Sequence, residues 1–96
     1  MRENMVVRRT GELLQADVDG ETVALSIENG TCYSFNDSAA RVWALTEQPR
    51  TVGEIRDALV AIYAVDRETC ERGLHAILDE LVADGLVEIS PPENQP

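Results

Sequence analysis

The most reactive side chains in this 96-residue sequence are one histidine, His75, and two cysteines, Cys32 and Cys70. A cysteine beside a histidine can act as a nucleophile, but nothing here supplies a group to orient the histidine or to lower the thiol pKa. Zinc needs four ligands, which these side chains provide only if a carboxylate joins them. Gly53 and Gly73 are isolated, so no phosphate-binding loop is present. The sequence therefore predicts no catalytic site, no metal site and no cofactor.

The N-terminal segment argues against export. Residues 1–10 contain arginines but lack the apolar core of a secretory signal. No apolar stretch approaches the ~20 residues of a membrane span. We therefore expect a cytoplasmic protein, whose two cysteines are free, buried thiols.

Charge excludes some partners. Eighteen acidic residues oppose eight arginines, lysine is absent, and the formal net charge is −10. Nucleic-acid and anionic membrane surfaces attract cations, so this composition predicts no nucleic-acid and no membrane partner. A neutral or basic partner fits better.

Three strand-like segments follow the N-terminal region: 13–17, 22–28 and 31–36. Asp19-Gly20 and Asn29-Gly30 separate them, and both pairs are typical of hairpin turns. The segments therefore predict a three-stranded antiparallel meander. A three-residue second loop would place Leu25 opposite Tyr33 and Val23 opposite Phe35, which gathers the apolar groups on one face. That face would hold Leu14, Val23, Leu25, Ile27, Tyr33 and Phe35.

Helical periodicity begins at Asn36 or Asp37, either of which can cap a first helix that runs to about Thr46. Thr51 and Glu54 form a capping box at the start of a second helix. A third helix follows an Asp66 cap and ends near Gly85. Its predicted buried stripe is Cys70, Leu74, Ile77, Leu78 and Leu81.

The order of elements predicts a single α+β domain, with the meander followed by three helices. We expect residues 1–12 to be a loosely ordered lead-in, 13–89 to form the domain and 90–96 to be a disordered tail. Leu86, Val87 and Ile89 could add a short extended segment within the domain.

The third strand has no predicted partner along its outer edge, and such an edge can accept an extended peptide as an additional strand. Helix three could wall the resulting groove, but a helical wheel does not show which shoulder of its buried stripe faces the strand. The first shoulder given below mixes apolar and polar groups, as a groove wall should, but its charges equally suit an ordinary solvated face and its apolar groups could simply widen the core stripe. The second shoulder is more solvated. One shoulder carries Arg67, Glu71, His75, Leu78 and Val82, and the other carries Asp66, Gly73, Glu80 and Asp84.

Four motifs in order resemble the PqqD-like family, the recognition elements of ribosomally made and modified peptides. They are Gly30–Asn36, Ala40–Trp43, Thr51–Ile55 and Leu81–Leu86. The resemblance covers residues 13–89, and implies a winged-helix-like domain that binds a precursor's leader segment as a strand. It implies that the peptide-binding residues are Cys32, Tyr33, Ser34, Phe35, Arg67, Glu71, Leu74, His75 and Leu78.

The size of the chain makes it most similar to the standalone recognition proteins of lasso-peptide pathways. The partners implied are the precursor's leader and a leader peptidase or other modifying enzyme, with no catalysis by the chain itself. An alternative is a PqqD-type peptide chaperone that presents its peptide to a radical enzyme, in pyrroloquinoline quinone synthesis or another peptide modification.

Family members often carry an acidic residue where this sequence has Gly73. That glycine either permits close approach of another backbone or weakens the helix.

Two functions from other classes also fit the element order. In a winged-helix DNA-binding regulator, helix three would enter the major groove. Residues 66–84 contain six acids and two arginines, a net charge of −4 that phosphates would repel. The third possibility is a structural subunit whose free strand edge dimerises.

Overall fold

The structure is a computed structural model that describes residues 2–19 and 21–92. Its strands and helices, in chain order, are β1 Val6–Arg9, β2 Leu13–Val18, β3 Glu21–Ser26, β4 Cys32–Phe35, α1 Asp37–Leu45, β5 Arg50–Thr51, α2 Val52–Tyr63, α3 Arg67–Ala83 and β6 Val87–Ser90. The predicted α+β class is confirmed, with an antiparallel β2-β3-β4 meander and three helices. The predicted extended segment near the end of the domain is β6.

A second sheet, in the order β5-β1-β6, joins the two ends of the chain. The expectation of a loose lead-in over 1–12 is therefore wrong for β1, whose Val7 is fully buried. Val6 pairs with Ser90 and Arg9 with Val87, so the pairing that orders β1 comes from residues about eighty positions away. Ser90 belongs to β6, and residues 93–96 of the expected tail lie outside the described part.

The segment before β1 also holds the start of α2. The amides of Val52 and Gly53 donate to the carbonyls of Met5 and Glu3, each over 2.9 Å. A Cβ at position 53 would lie 3.2 Å from the Glu3 backbone, so this contact favours glycine. The buried Arg56 guanidinium binds the Glu3 carboxylate at 3.1 Å. The hydrogen bond to Asp57 raises the pKa of Arg56, and the hydrogen bond to Glu3 raises it to a smaller extent.

The predicted helix caps are confirmed. The Asn36 side chain accepts from the Ala39 amide at 2.8 Å, and Thr51 and Glu54 form a reciprocal capping box at α2. Asp66 caps α3 by accepting from the Thr69 amide. Hydrogen bonds to Thr69 lower the Asp66 pKa, which shows that the cap favours the charged carboxylate.

The predicted register between β3 and β4 is wrong by one residue. The loop contains four residues, 27–30, because Ser26 and Thr31 form the pair that closes it; the Ser26 amide donates to the Thr31 carbonyl over 2.9 Å. Tyr33 therefore lies opposite Ala24, and Phe35 lies opposite Thr22. The core face of β3 consists of small residues, and Leu25 points to the other side of the sheet.

The aromatic residues explain why the small side chains face inward. Phe35 and Trp43 pack with ring centroids 6.0 Å apart, in the same core cluster as Ala24. The Arg9 guanidinium carbon lies 4.0 Å from the Trp43 ring centroid, and Arg9 Nε donates to Thr46 Oγ1 at 3.1 Å. Burial lowers the Arg9 pKa. Bulky rings fill this space, so only small groups fit opposite them on β3.

Val7→Ala should lower the free energy of unfolding by about 2 kcal/mol, since it removes two buried methyl groups at ~0.8 kcal/mol each and leaves a cavity. The matched control is Val82→Ala on α3, where 43% of the valine is exposed and a change within about 0.5 kcal/mol is expected. Urea denaturation measures both. Equal stability of the Val7 variant and wild type would mean that β1 is not a core strand.

Candidate functional site

Strand β4 offers a free edge. It pairs with β3 on one side, and on its other side no strand of the described residues lies against it. Inter-strand bonds alternate along an antiparallel pair. Because Ser26 bonds to Thr31, the backbone groups of Tyr33 and Phe35 face β3, and those of Cys32 and Ser34 face outward. Two residues can therefore bond to an added strand.

A groove lies between this edge and α3. It has a volume of about 130 Å³ and combines apolar and acidic groups. Strand β4 provides one wall and α3 the other, and we call it the β4–α3 groove. Its lining residues are Tyr33, Ser34, Phe35, Asn36, Ala39, Ile77, Glu80, Leu81 and Asp84.

A larger apolar pocket adjoins the groove, with Ile77 lining both. It has a volume of about 290 Å³ and lies among α1, α2 and α3. Tyr63 lines this pocket, and its hydroxyl donates to Asp37 Oδ2 at 2.8 Å. No neighbouring atom lies within 4 Å of a Cβ built at Gly73, so here the glycine faces open space. An extended chain in the groove could continue into this pocket.

The expected site residues fall into four places. Tyr33, Ser34 and Phe35 line the β4–α3 groove, and Cys32 is exposed on the same strand. Leu74 lines the adjoining pocket, and Leu78 is fully buried in the core. Arg67, Glu71 and His75 line a separate surface depression with Glu68 and Arg72. The structure does not bring these three residues to β4.

The other shoulder of α3 faces the strand. Ile77, Glu80 and Asp84 line the groove and were not among the expected site residues. Glu71 instead lies 4.0 Å from the Arg56 guanidinium of α2. The sequence did contain a signal for this orientation, which is the difference in charge between the two shoulders. An acidic shoulder suits the basic partner that the composition favours.

The two thiols differ in environment. Both are free, but Cys32 is exposed and only Cys70 is buried, so half of the expectation is wrong. Burial raises the Cys70 pKa, and its thiol donates to the Arg56 carbonyl at 3.7 Å.

Within residues 2–19 and 21–92, no three His, Cys, Asp or Glu side chains form a group that could hold a metal ion. Over the same residues, no helix has the length and apolar character needed to cross a membrane.

An open strand edge beside a helix-walled groove defines a peptide-binding class of domain. Residues 21–87 match the family Coenzyme PQQ synthesis protein D (PqqD). The chain therefore belongs to the PqqD family. Among curated protein sequences, none matches it.

Two solved structures are similar to the chain. One is described as TbiB1 in complex with the TbiA(beta) leader peptide; it is 34% identical, with a TM-score of 0.73 over 84% of this chain and 94% of that one. The other is a lasso peptide synthetase B1 complexed with the leader peptide. It is 23% identical, with a TM-score of 0.66 over 85% of this chain and 96% of that one, and it supports the fold.

At pH 8, one thiol should react rapidly with a disulfide reagent such as DTNB, and the second should react only after unfolding. Thiolates are the reactive form, and burial keeps Cys70 protonated. Cys32→Ser should remove the fast phase, whereas Cys70→Ala should leave it intact. Two fast thiols in the folded wild type would contradict the buried position of Cys70.

Proposed function

We propose that this chain binds the leader segment of a ribosomal precursor peptide as an additional strand on β4. The observation that carries the proposal is the pair of outward-facing backbones, Cys32 and Ser34, at the mouth of the β4–α3 groove. The TbiB1 structure, which shares this fold at 34% identity, holds a leader peptide. Main-chain bonds would supply affinity, and the groove would supply selectivity.

The groove favours a particular type of leader. Ile77 and Leu81 offer an apolar floor, and the adjoining pocket has room for a bulky apolar side chain. Glu80 and Asp84 add negative charge at the same place. A leader with an apolar anchor and a nearby Lys or Arg would complement both features. The same acids disfavour duplex DNA as the ligand.

The chain acts as a recognition protein rather than an enzyme. Its contribution is to hold the leader in extended form, so that a separate leader peptidase or other modifying enzyme of a lasso-peptide-type pathway acts on the attached precursor. Binding in the cytoplasm, where precursors are made, fits this role. We expect a dissociation constant around micromolar, or about −8 kcal/mol.

Ser34→Pro should weaken leader binding by about tenfold or more. Proline removes the outward amide that would donate to the leader, and its ring blocks the edge. The fold should survive because this amide does not bond to β3. Fluorescence anisotropy with a labelled leader peptide, taken from a precursor encoded in the same genome, measures binding, and thermal unfolding confirms folding.

The control is Ser34→Ala, which removes the hydroxyl that donates to Glu21 Oε1 at 2.9 Å but keeps the amide. It should bind within about twofold of wild type. If Ser34→Pro is folded and binds as tightly as wild type, the leader does not pair with β4. If wild type binds no leader at high micromolar concentration, the function proposed here is wrong.

Ile77→Thr should weaken leader binding by about fivefold or more, because a groove-lining apolar contact is lost at roughly 1 kcal/mol. His75→Thr is the matched control, with the same new residue on the same helix but in the separate depression. It should leave affinity unchanged. The reverse pattern would place the leader on the shoulder of α3 that carries Arg67, Glu71 and His75.

A further inference from the structure

The meander has a second open edge, on the opposite side of the sheet from the edge of β4. Strand β2 pairs with β3 along one side, and no strand of the residues that the structure describes lies along its other side. The Ser26 backbone faces β4, so alternation makes Leu25 and its partner Leu14 bond to each other between β3 and β2. We call the open side the β2 edge. The residues whose backbone groups point to it are Leu13, Gln15 and Asp17.

The β2 edge lacks most of the features that prevent an edge strand from pairing. Such strands are usually short, bulged, or marked by Pro or Lys. Strand β2 has six residues, an unbroken register with β3, and no Pro, Lys or Arg. A space of about 360 Å³ lies beside it, to which α1 contributes the small side chains of Ala40 and Ala44. A second strand therefore has room to approach on this side.

The sequence of β2 is complementary to itself when two copies run antiparallel about a two-fold axis at Ala16. Leu14 then lies opposite Val18 of the second copy, and Ala16 lies opposite Ala16. Gln15 lies opposite Asp17 of the second copy, where its side-chain amide can donate to the carboxylate. Apolar groups meet apolar groups and a donor meets an acceptor, which are the cross-strand pairs that stabilise a sheet.

The neighbouring registers are less favourable. An axis at Gln15 would place the Val18 side chain opposite the Glu12 carboxylate. An axis at Asp17 would place two carboxylates directly opposite each other, and like charges in that position are destabilising. The axis at Ala16 also puts the smallest side chain of the strand at a non-hydrogen-bonded pair, where Cα atoms are only ~4.5 Å apart.

This pairing would satisfy the exposed groups of β2. Leu14 is 59% exposed and Val18 is 52% exposed, and each would pack against the other across the axis. The backbones of Gln15 and Asp17 both point outward, so each of the two symmetric Gln15–Asp17 pairs would exchange both of its main-chain hydrogen bonds. Such an interface uses the same surface on both subunits.

We propose that the β2 edge is a self-association site, where a second copy of this chain adds its own β2 about a two-fold axis at Ala16. The product is one continuous sheet with the strand order β4-β3-β2-β2-β3-β4. Both β4 edges stay open at its ends, so a dimer would present two leader sites. The pairing is independent of the proposed function, and only the number of leaders rests on it.

Net charge makes this dimer weak and dependent on salt. Each copy carries −10, so two copies repel each other, and added salt screens that repulsion. A single pair of strands is also a small interface. We expect a dissociation constant on the order of 100 μM at low salt, which should fall by about threefold or more at ~0.5 M NaCl. Leader binding to the acidic groove should weaken with salt instead.

Sedimentation velocity of the full chain at ~10–500 μM tests the proposal, because this range brackets the expected dissociation constant. Gln15→Pro removes an amide that does not bond to β3, and its ring blocks the β2 edge. It should stay monomeric and bind leader within about twofold of wild type. Ser34→Pro is the matched control at the opposite edge, and should dimerise as wild type does while it loses leader affinity.

Disulfide formation tests the register, and it keeps the proposal testable if Gln15→Pro does not fold. In a Cys32→Ser background, Ala16→Cys would place two thiols directly opposite each other, within the separation that a disulfide requires. Leu14→Cys is the control, since its two copies would lie ~13 Å apart along the strands. With oxidised glutathione, Ala16→Cys should form covalent dimers about tenfold faster or more, as read on a non-reducing gel.

A wild type that stays monomeric at ~500 μM in high salt would overturn the proposal. Equal rates of cross-linking for the two cysteine variants would overturn it too, as would a dimer that persists in folded Gln15→Pro. A dimer that leader or Ser34→Pro dissolves also contradicts it, and assigns the contact to the edge of β4. A wild type that dimerises as described but binds no leader supports the pairing and rejects the proposed function alone.

Discussion

The pairing of Ser26 with Thr31 sets the geometry on which most of this molecule depends. It closes a four-residue loop and thereby decides which side chains of β3 and β4 face the helices. Tyr33 and Phe35 turn inward, and Cys32 and Ser34 present their backbones to the open edge. A shift of one residue would exchange these roles, because side chains alternate with period two. The core, the β4–α3 groove and the apolar side chains of the meander that face solvent are therefore three results of one register.

The sequence was informative where structure is local. Caps such as Asn36 and the Thr51–Glu54 box bond within one turn of their own helix, so their spacing is visible in the chain. The loop at Asn29-Gly30 is also local, but its residues suit several loop lengths. The choice came from tertiary packing, since Phe35 and Trp43 need small partners on β3. The requirement for small side chains on β3 is not visible when strand faces are compared only by how apolar they are.

Long-range features were the least visible. Strand β1 has only four residues, and its partners lie at β5 and β6, so no pattern within 1–12 marks it as a central strand. The orientation of α3 posed a related problem. Its wheel correctly identified Leu74 and Leu78 as inward residues, but rotation about the helix axis depends on α1 and α2. That rotation places Ile77, rather than His75, beside β4.

The contacts of Trp43 have a consequence for spectroscopy. It is the single tryptophan of the chain and is 1% exposed. Its ring touches Phe35 from the open-edged strand and carries the Arg9 cation from the second sheet. The indole thus lies at the junction of both sheets, where its emission depends on the position of each. Intrinsic fluorescence can therefore follow small displacements of β4 as it acquires a neighbour, with no label attached to either molecule.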